Sequence, residues 1–311
     1  VKNTPIGYFT DDKTIINLRK TTMKKIFPLL LVFHWFIEPI FLNNLTYCQV
    51  NLQRLYGVTV DAIDHLNDIE TALSNHSKKT TVRIVFDEYV PASQYDQSVK
   101  RLSCVSDVMG EILDSWYFKR YSIEEYQSRV REYVDRFQGK VAIWEIGNEI
   151  NGEWLGRADT VVEKISYAFA YCRKLGLKTA VTLYYNKDCW ENPENEMFRW
   201  VNTNIPVKLK YYLDYVFVSY YEDDCNNYQP NWQQVFDSLH AIFPNSLLGI
   251  GECGTAVQSQ KAAYMTRYYT MQVTTPGFIG GFFWWYYKQD CVPFTKPLWT
   301  TLNNLFNITE P

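Results

Sequence analysis

The chain has 311 residues, 47% of them hydrophobic and 21% charged, an ordinary globular composition that excludes a disordered chain or a fibre. Its net charge of −3 comes without a Lys/Arg cluster able to track phosphates, so nucleic acid is excluded as a partner and a neutral one fits better. Aromatic residues make up 17% of the chain, with 10 Trp and 24 Tyr, and flat rings with polar edges serve core packing as well as stacking against sugar faces.

In chain order the first feature is a leader. Met23-Lys24-Lys25 precedes the apolar stretch Ile26 to Phe33, the pattern of a secretory signal peptide. Glu38 and Pro39 interrupt the run before it reaches the roughly 18 to 20 apolar residues of a membrane span. Residues 1–48 are therefore expected to be a leader, with translation starting at Met23. The product is expected to be secreted, periplasmic or at the cell surface, with no stable span after processing. Leu45-Thr46-Tyr47-Cys48 has the outline of a lipoprotein box, but Tyr47 stands where such a box needs a small residue, which disfavours a lipid on Cys48.

From residue 54 onward, short β-branched or aromatic runs alternate with stretches of helical period, as in repeated βα units around a parallel sheet. Strands are predicted at Tyr56–Ile63, Thr81–Asp87, Asp107–Leu113, Val141–Gly147, Thr179–Tyr184, Tyr215–Tyr220, Leu247–Gly251 and Gly277–Trp285. Between them lie helical segments such as Ser122–Phe137, Thr160–Leu175, Trp232–Phe243 and Gln260–Thr270, and Pro297–Phe306 closes the series with Pro in its first turn. Residues 49–311 form roughly 260 residues without a linker, close to the ~250 of a (β/α)8 TIM barrel, so one catalytic-sized domain is expected. A doubly wound open sheet would show a Gly-rich phosphate turn after its first strand, and Val58-Thr59-Val60-Asp61 leads into none.

In such a barrel chemistry sits at the C-terminal ends of the strands. The fourth predicted strand runs Trp144-Glu145-Ile146-Gly147-Asn148-Glu149, and the seventh runs Gly249-Ile250-Gly251-Glu252, each placing a carboxylate where an apolar strand opens into a loop. Glu149 and Glu252 stand roughly 100 positions apart, about 34 for each of three βα units, which puts them on opposite sides of one barrel mouth. Hydrolysis of a glycosidic bond needs one carboxylic acid to protonate the leaving oxygen and a second carboxylate to attack or to activate water. Asn148 and Glu149 are consecutive and cannot both point inward from a regular strand, so the strand must end or bulge there, with Gly147 easing the turn.

These residues resemble the signature of the clan A superfamily of retaining glycoside hydrolases, over the whole predicted barrel. The string Trp144 to Gly152 is locally similar to the endo-β-1,4-galactanase branch. The resemblance implies that Glu149 is the general acid/base and Glu252 the nucleophile of a double displacement. It further implies that Asn148 holds a sugar 2-hydroxyl, Arg83 in the second strand faces the nucleophile, Tyr221 hydrogen-bonds it, and Trp285 rather than Trp284 floors the sugar site. Many members carry a histidine where this chain has Ser219. In the cycle so implied Glu149 starts protonated and Glu252 ionised.

Seven cysteines show no CxxC pair and no metal-ligand spacing, so neither metal nor cofactor is expected. Cys189, Cys225 and Cys291 fall in loops after the fifth, sixth and eighth strands. Joining Cys189 to Cys225 would brace the rim, and three unrelated loop thiols are the alternative. Cys253 is expected to point away from the axis. Acids and aromatics crowd the same rim, among them Asp87, Asp114, Trp116, Glu153, Trp154, Trp190, Glu222, Asp223 and Asp290; most are expected to be ordinary loop residues. The expected partner is a carbohydrate substrate of a monomeric enzyme. A non-catalytic glycan-binding barrel and a transglycosidase built on the same residues are the competing readings.

Overall fold

The computed structural model describes residues 54–308, so the expected signal peptide, the start at Met23 and the Cys48 box lie outside the described residues. Eight strands form a closed barrel in the order β1 to β8: Leu55–Val60, Thr81–Val85, Asp107–Glu111, Val141–Glu145, Lys178–Tyr184, Tyr215–Tyr220, Leu247–Cys253 and Phe278–Trp284. Every neighbouring pair is parallel, including β1 with β8, which makes this the expected (β/α)8 barrel. Runs such as TVRIV, TAVTLY and YVFVSY read as near-continuous apolar or β-branched strings because strands packed between helices and a filled interior are buried on both faces.

The helical crossovers follow local rules. In helix Ile123–Phe137 the Ser122 hydroxyl accepts from the Glu125 amide while the Glu125 side chain accepts from the Ser122 amide, a reciprocal capping box. Tyr126, Val130, Tyr133, Val134 and Phe137 recur at helical spacing and are buried against the strands, together with Arg129, whose Nε donates to Ile112 O at 2.6 Å.

Alternation along the strands divides the apolar residues into two cores. Outward-facing side chains such as Val58, Val82, Ile84 and Trp144 pack under the helices. Met109, Ile143, Ala180, Phe217, Ile279 and Phe283 form a separate cluster that fills the barrel. On the inward face of β2 to β5, towards the C-terminal ends, the pattern turns polar: Arg83, Glu111, Glu145 and Thr182 are fully buried.

The ends of three strands depart from regular geometry, and these departures aim the site. β4 stops at Glu145, but the chain goes on tracking β5, with the amide of Ile146 donating to Ala180 O and that of Ile150 to Thr182 O. The intervening residues are looped out, and Glu149 takes a left-handed φ of 48°. The backbone turn therefore falls on Glu149 itself and not on Gly147, whose missing side chain serves packing: a Cβ there would come within 2.6 Å of Ile150 and 2.9 Å of Ile165. β7 slips register against β6 between Ile250 and Glu252, and β8 bulges through Gly280, Gly281 and Phe282, all at positive φ.

Candidate active site

The site assembles from the ends of β2, β4, β6, β7 and β8 and the loops that follow them. Arg83 of β2 points into the barrel, and its Nη1 donates to Glu252 Oε2 at 2.7 Å. Tyr221, directly after β6, donates its hydroxyl to Glu252 Oε1 at 2.7 Å. Both oxygens of Glu252 thus accept, one of them from a cation, an arrangement suited to a carboxylate carrying full negative charge. The Arg83 guanidinium also lies 5.7 Å from the ring centroid of Trp285, so Trp285 takes the inward position at the end of β8. Trp284 points the other way, its Nε1 donating to Asp290 Oδ2 at 2.8 Å.

Glu149 occupies a different environment. It is buried, and its oxygens accept from two serines, Ser219 Oγ to Oε1 at 2.7 Å and Ser115 Oγ to Oε2 at 2.8 Å. Its carboxyl is pushed up to about 8, first by burial and then by the charge of Glu252; the two serine hydroxyls pull in the opposite direction. The two glutamates therefore face opposite electrostatic demands, a charge compensated at Glu252 and a proton favoured at Glu149. Asn148, beside Glu149, is 1% exposed, and its Oδ1 is a buried acceptor with no hydrogen-bond partner.

The structure thus brings Arg83, Tyr221, Glu252 and Trp285 into direct contact, with Glu149 close enough for the charge of Glu252 to act on it. Ser219, noted in the sequence as a departure from histidine, turns out to hold Glu149. Several participants went unnoticed in the sequence. Arg83 Nε donates to Glu145 Oε2 at 2.6 Å, and Thr182 Oγ1 donates to the other oxygen of Glu145. Glu111 Oε2 lies 3.0 Å from Arg83 Nη2, yet neither Glu111 oxygen has a hydrogen bond of good geometry, and burial pushes its carboxyl well above the usual range. One guanidinium thus serves three carboxylates. Alternation was the available signal, since Glu145 shares the inward face with Ile143, and Glu111 shares it with Met109.

Around the rim Cys189 and Cys225 are joined by a disulfide with Cα atoms 5.2 Å apart, while Cys253 and Cys291 are buried free thiols. Most of the rim acids are tied into the scaffold. Asp87 accepts from Tyr95, Glu153 from the Glu191 amide, Asp223 from Tyr264 and Asp290 from Lys261, while Asp114 caps the short helix Ser115–Phe118. Trp116 and Trp190 keep exposed faces.

No family model matches this sequence, and no curated protein matches it. Among solved structures it is similar to Gas2p of Saccharomyces cerevisiae in complex with laminaritriose and laminaritetraose, at 11% identity and a TM-score of 0.55 over 83% of this chain and 65% of that one. The same protein with laminaripentaose gives 10% identity and a TM-score of 0.53, over 83% and 66% of the two chains. A mutant form in complex with laminaritetraose and laminaripentaose gives 10% and 0.55, over 83% and 64%. At this identity the likeness is one of fold, and the chain spans about two thirds of the length of those neighbours.

Proposed function

We propose that the protein is a retaining glycoside hydrolase of the clan A type, acting on a β-linked glucan by double displacement. The observation that carries the reading is the asymmetry of the two glutamates, with Glu252 held by Arg83 and Tyr221 as an acceptor and Glu149 favouring a proton. In the first step a Glu252 oxygen attacks the anomeric carbon, the bond to the leaving oxygen breaks, and the Glu149 proton passes to that oxygen. In the second step Glu149 takes a proton from water as the water oxygen attacks the same carbon, and the Glu252 carboxylate is released. Asn148 would satisfy its unpartnered Oδ1 with a sugar hydroxyl, and Trp285 would lie under the ring.

Laminari-oligosaccharides are β-1,3-linked glucose chains, and their presence in the solved neighbours makes β-1,3-glucan the first substrate to try. The galactanase-like string from Trp144 to Gly152 makes β-1,4-galactan the second. Incubation with both, with product sizing and anomeric proton NMR, tests the reading: a β-anomer formed first supports retention. An α-anomer formed first overturns it, and binding without cleavage favours a glycan-binding barrel. Products longer than the substrate would identify transfer to a second sugar in place of water. Glu252→Gln is expected to lower turnover by about three orders of magnitude or more with the fold intact.

A further inference from the structure

One cation, Arg83, faces the carboxyl groups of Glu111, Glu145 and Glu252 away from water. With all three ionised the group would hold two uncompensated negative charges, a state that buried carboxyls escape by binding a proton. The donors around them show which one does so. Glu252 accepts from Arg83 Nη1 and from Tyr221, each at 2.7 Å. Glu145 accepts from Arg83 Nε at 2.6 Å, from Arg83 Nη2 at 3.3 Å and from Thr182. Glu111 Oε2 lies 3.0 Å from Arg83 Nη2, but no N–H or O–H is aligned on either of its oxygens. An ionised carboxylate can only accept, so this position suits a carboxylic acid, which brings its own hydrogen.

That hydrogen has an acceptor beside it. Glu111 and Glu145 pair in register on β3 and β4. A carboxylate offers about four lone-pair sites, and Arg83 and Thr182 leave one of those on Glu145 free for the hydrogen of Glu111. The charged and titratable groups facing Glu111 are Arg83 of β2, Asp114 in the loop after β3, Glu145 of β4 and Glu252 of β7. Burial and the three acids favour a proton on Glu111, and together they outweigh the opposing charge of Arg83.

We propose that Glu111 is a neutral carboxylic acid in the resting protein and a positioning residue that acts through Arg83. Its proton leaves Arg83 to two anions: Glu145, which fixes the guanidinium from one side, and Glu252, which the guanidinium keeps ionised. The buried group then holds one excess negative charge before the reaction. Once Glu252 has bonded to the anomeric carbon that excess is gone, and Arg83 and Glu145 balance. An ionised Glu111 would leave negative charge in excess at both stages and would disfavour ionisation of Glu252. The consequence for catalysis rests on the nucleophile reading of Glu252, whereas the proton belongs to the resting protein and is observed without substrate.

Infrared difference spectra of the wild type and Glu111→Gln at neutral pH read that proton. The variant should lose the carbonyl stretch of a neutral carboxylic acid, and loss of a carboxylate stretch in its place overturns the proposal. The corresponding band of Glu149 is identified by its loss in Glu149→Gln. An amide has the shape and neutrality of the acid, so a Glu111→Gln chain that fails to fold also overturns it. With a cleavable substrate, the acid limb of kcat/KM follows Glu252 and should stand at the same pH in Glu111→Gln as in the wild type. A limb lower by about one pH unit would mean that a negative charge beside Glu252 had been removed, against the proposal. Glu111→Ala leaves Arg83 Nη2 unsupported and should lower kcat/KM about tenfold, and Glu111→Gln should restore most of that loss. Equal losses in the two variants overturn the positioning role. A protein that cleaves nothing overturns the proposed function and leaves the infrared spectra to decide the state of Glu111.

Discussion

Burial and the charge of Glu252 favour a proton on Glu149, and stability should register that preference as well as rate. The folded carboxyl titrates near 8, above the ordinary glutamate value of about 4.3. Its contribution to stability is therefore full below the unfolded value and is lost as pH rises through the folded one. Glu149→Gln, which cannot ionise, should gain on the wild type as pH rises, so the difference between their melting temperatures should be larger at pH 9 than at pH 5. Equal differences at both would mean that Glu149 does not titrate in this window. The basic limb of kcat/KM for the active enzyme is expected near pH 8 for the same reason. Glu149 and Glu252 were legible in the sequence because an acid at the end of an apolar strand stands out against its surroundings. Ser115 was not, because a loop serine carries no mark of its partner until the fold brings the two together.

Regular strands could be read from composition, but their irregular ends could not. A register slip changes which face a side chain occupies without changing the kind of residue the strand prefers. Hence β7 was expected to stop at Gly251 and instead runs through Glu252 to Cys253, whereas β4 stops at Glu145, short of the expected Gly147. The β7–β8 contact shows what such geometry demands of a sequence. A Cβ on Gly249 would lie 2.3 Å from the carbonyl oxygen of Gly280, and a closed sheet gives neither backbone room to retreat. Gly249→Ala should therefore destabilise by about 2–4 kcal/mol, read from the midpoint of urea unfolding. A cost below about 0.5 kcal/mol, typical of a harmless surface change, would show that the strands can separate there.

For the molecule as a whole, the Cys189–Cys225 bond closes a loop with a sequence separation of 36 between the strand ends of neighbouring units. On the chain-entropy view a loop of this length is worth about 4 kcal/mol, so reduction by dithiothreitol should lower the melting temperature measurably. The same bond braces the segment whose Glu191 amide is received by Glu153, beside Trp154, so loss of the bond should also weaken the seating of Trp154. Closure of the barrel has a consequence in time. Leu55 of the first strand pairs with Gly280 of the last, across nearly the whole described chain, and long-range pairings of this kind are slow to form. A chain still emerging from the ribosome has a first strand with no neighbour on one side until Phe278–Trp284 arrives. Throughout synthesis that open edge must be kept from other chains, so production of this protein should be limited by how long its two ends stay apart.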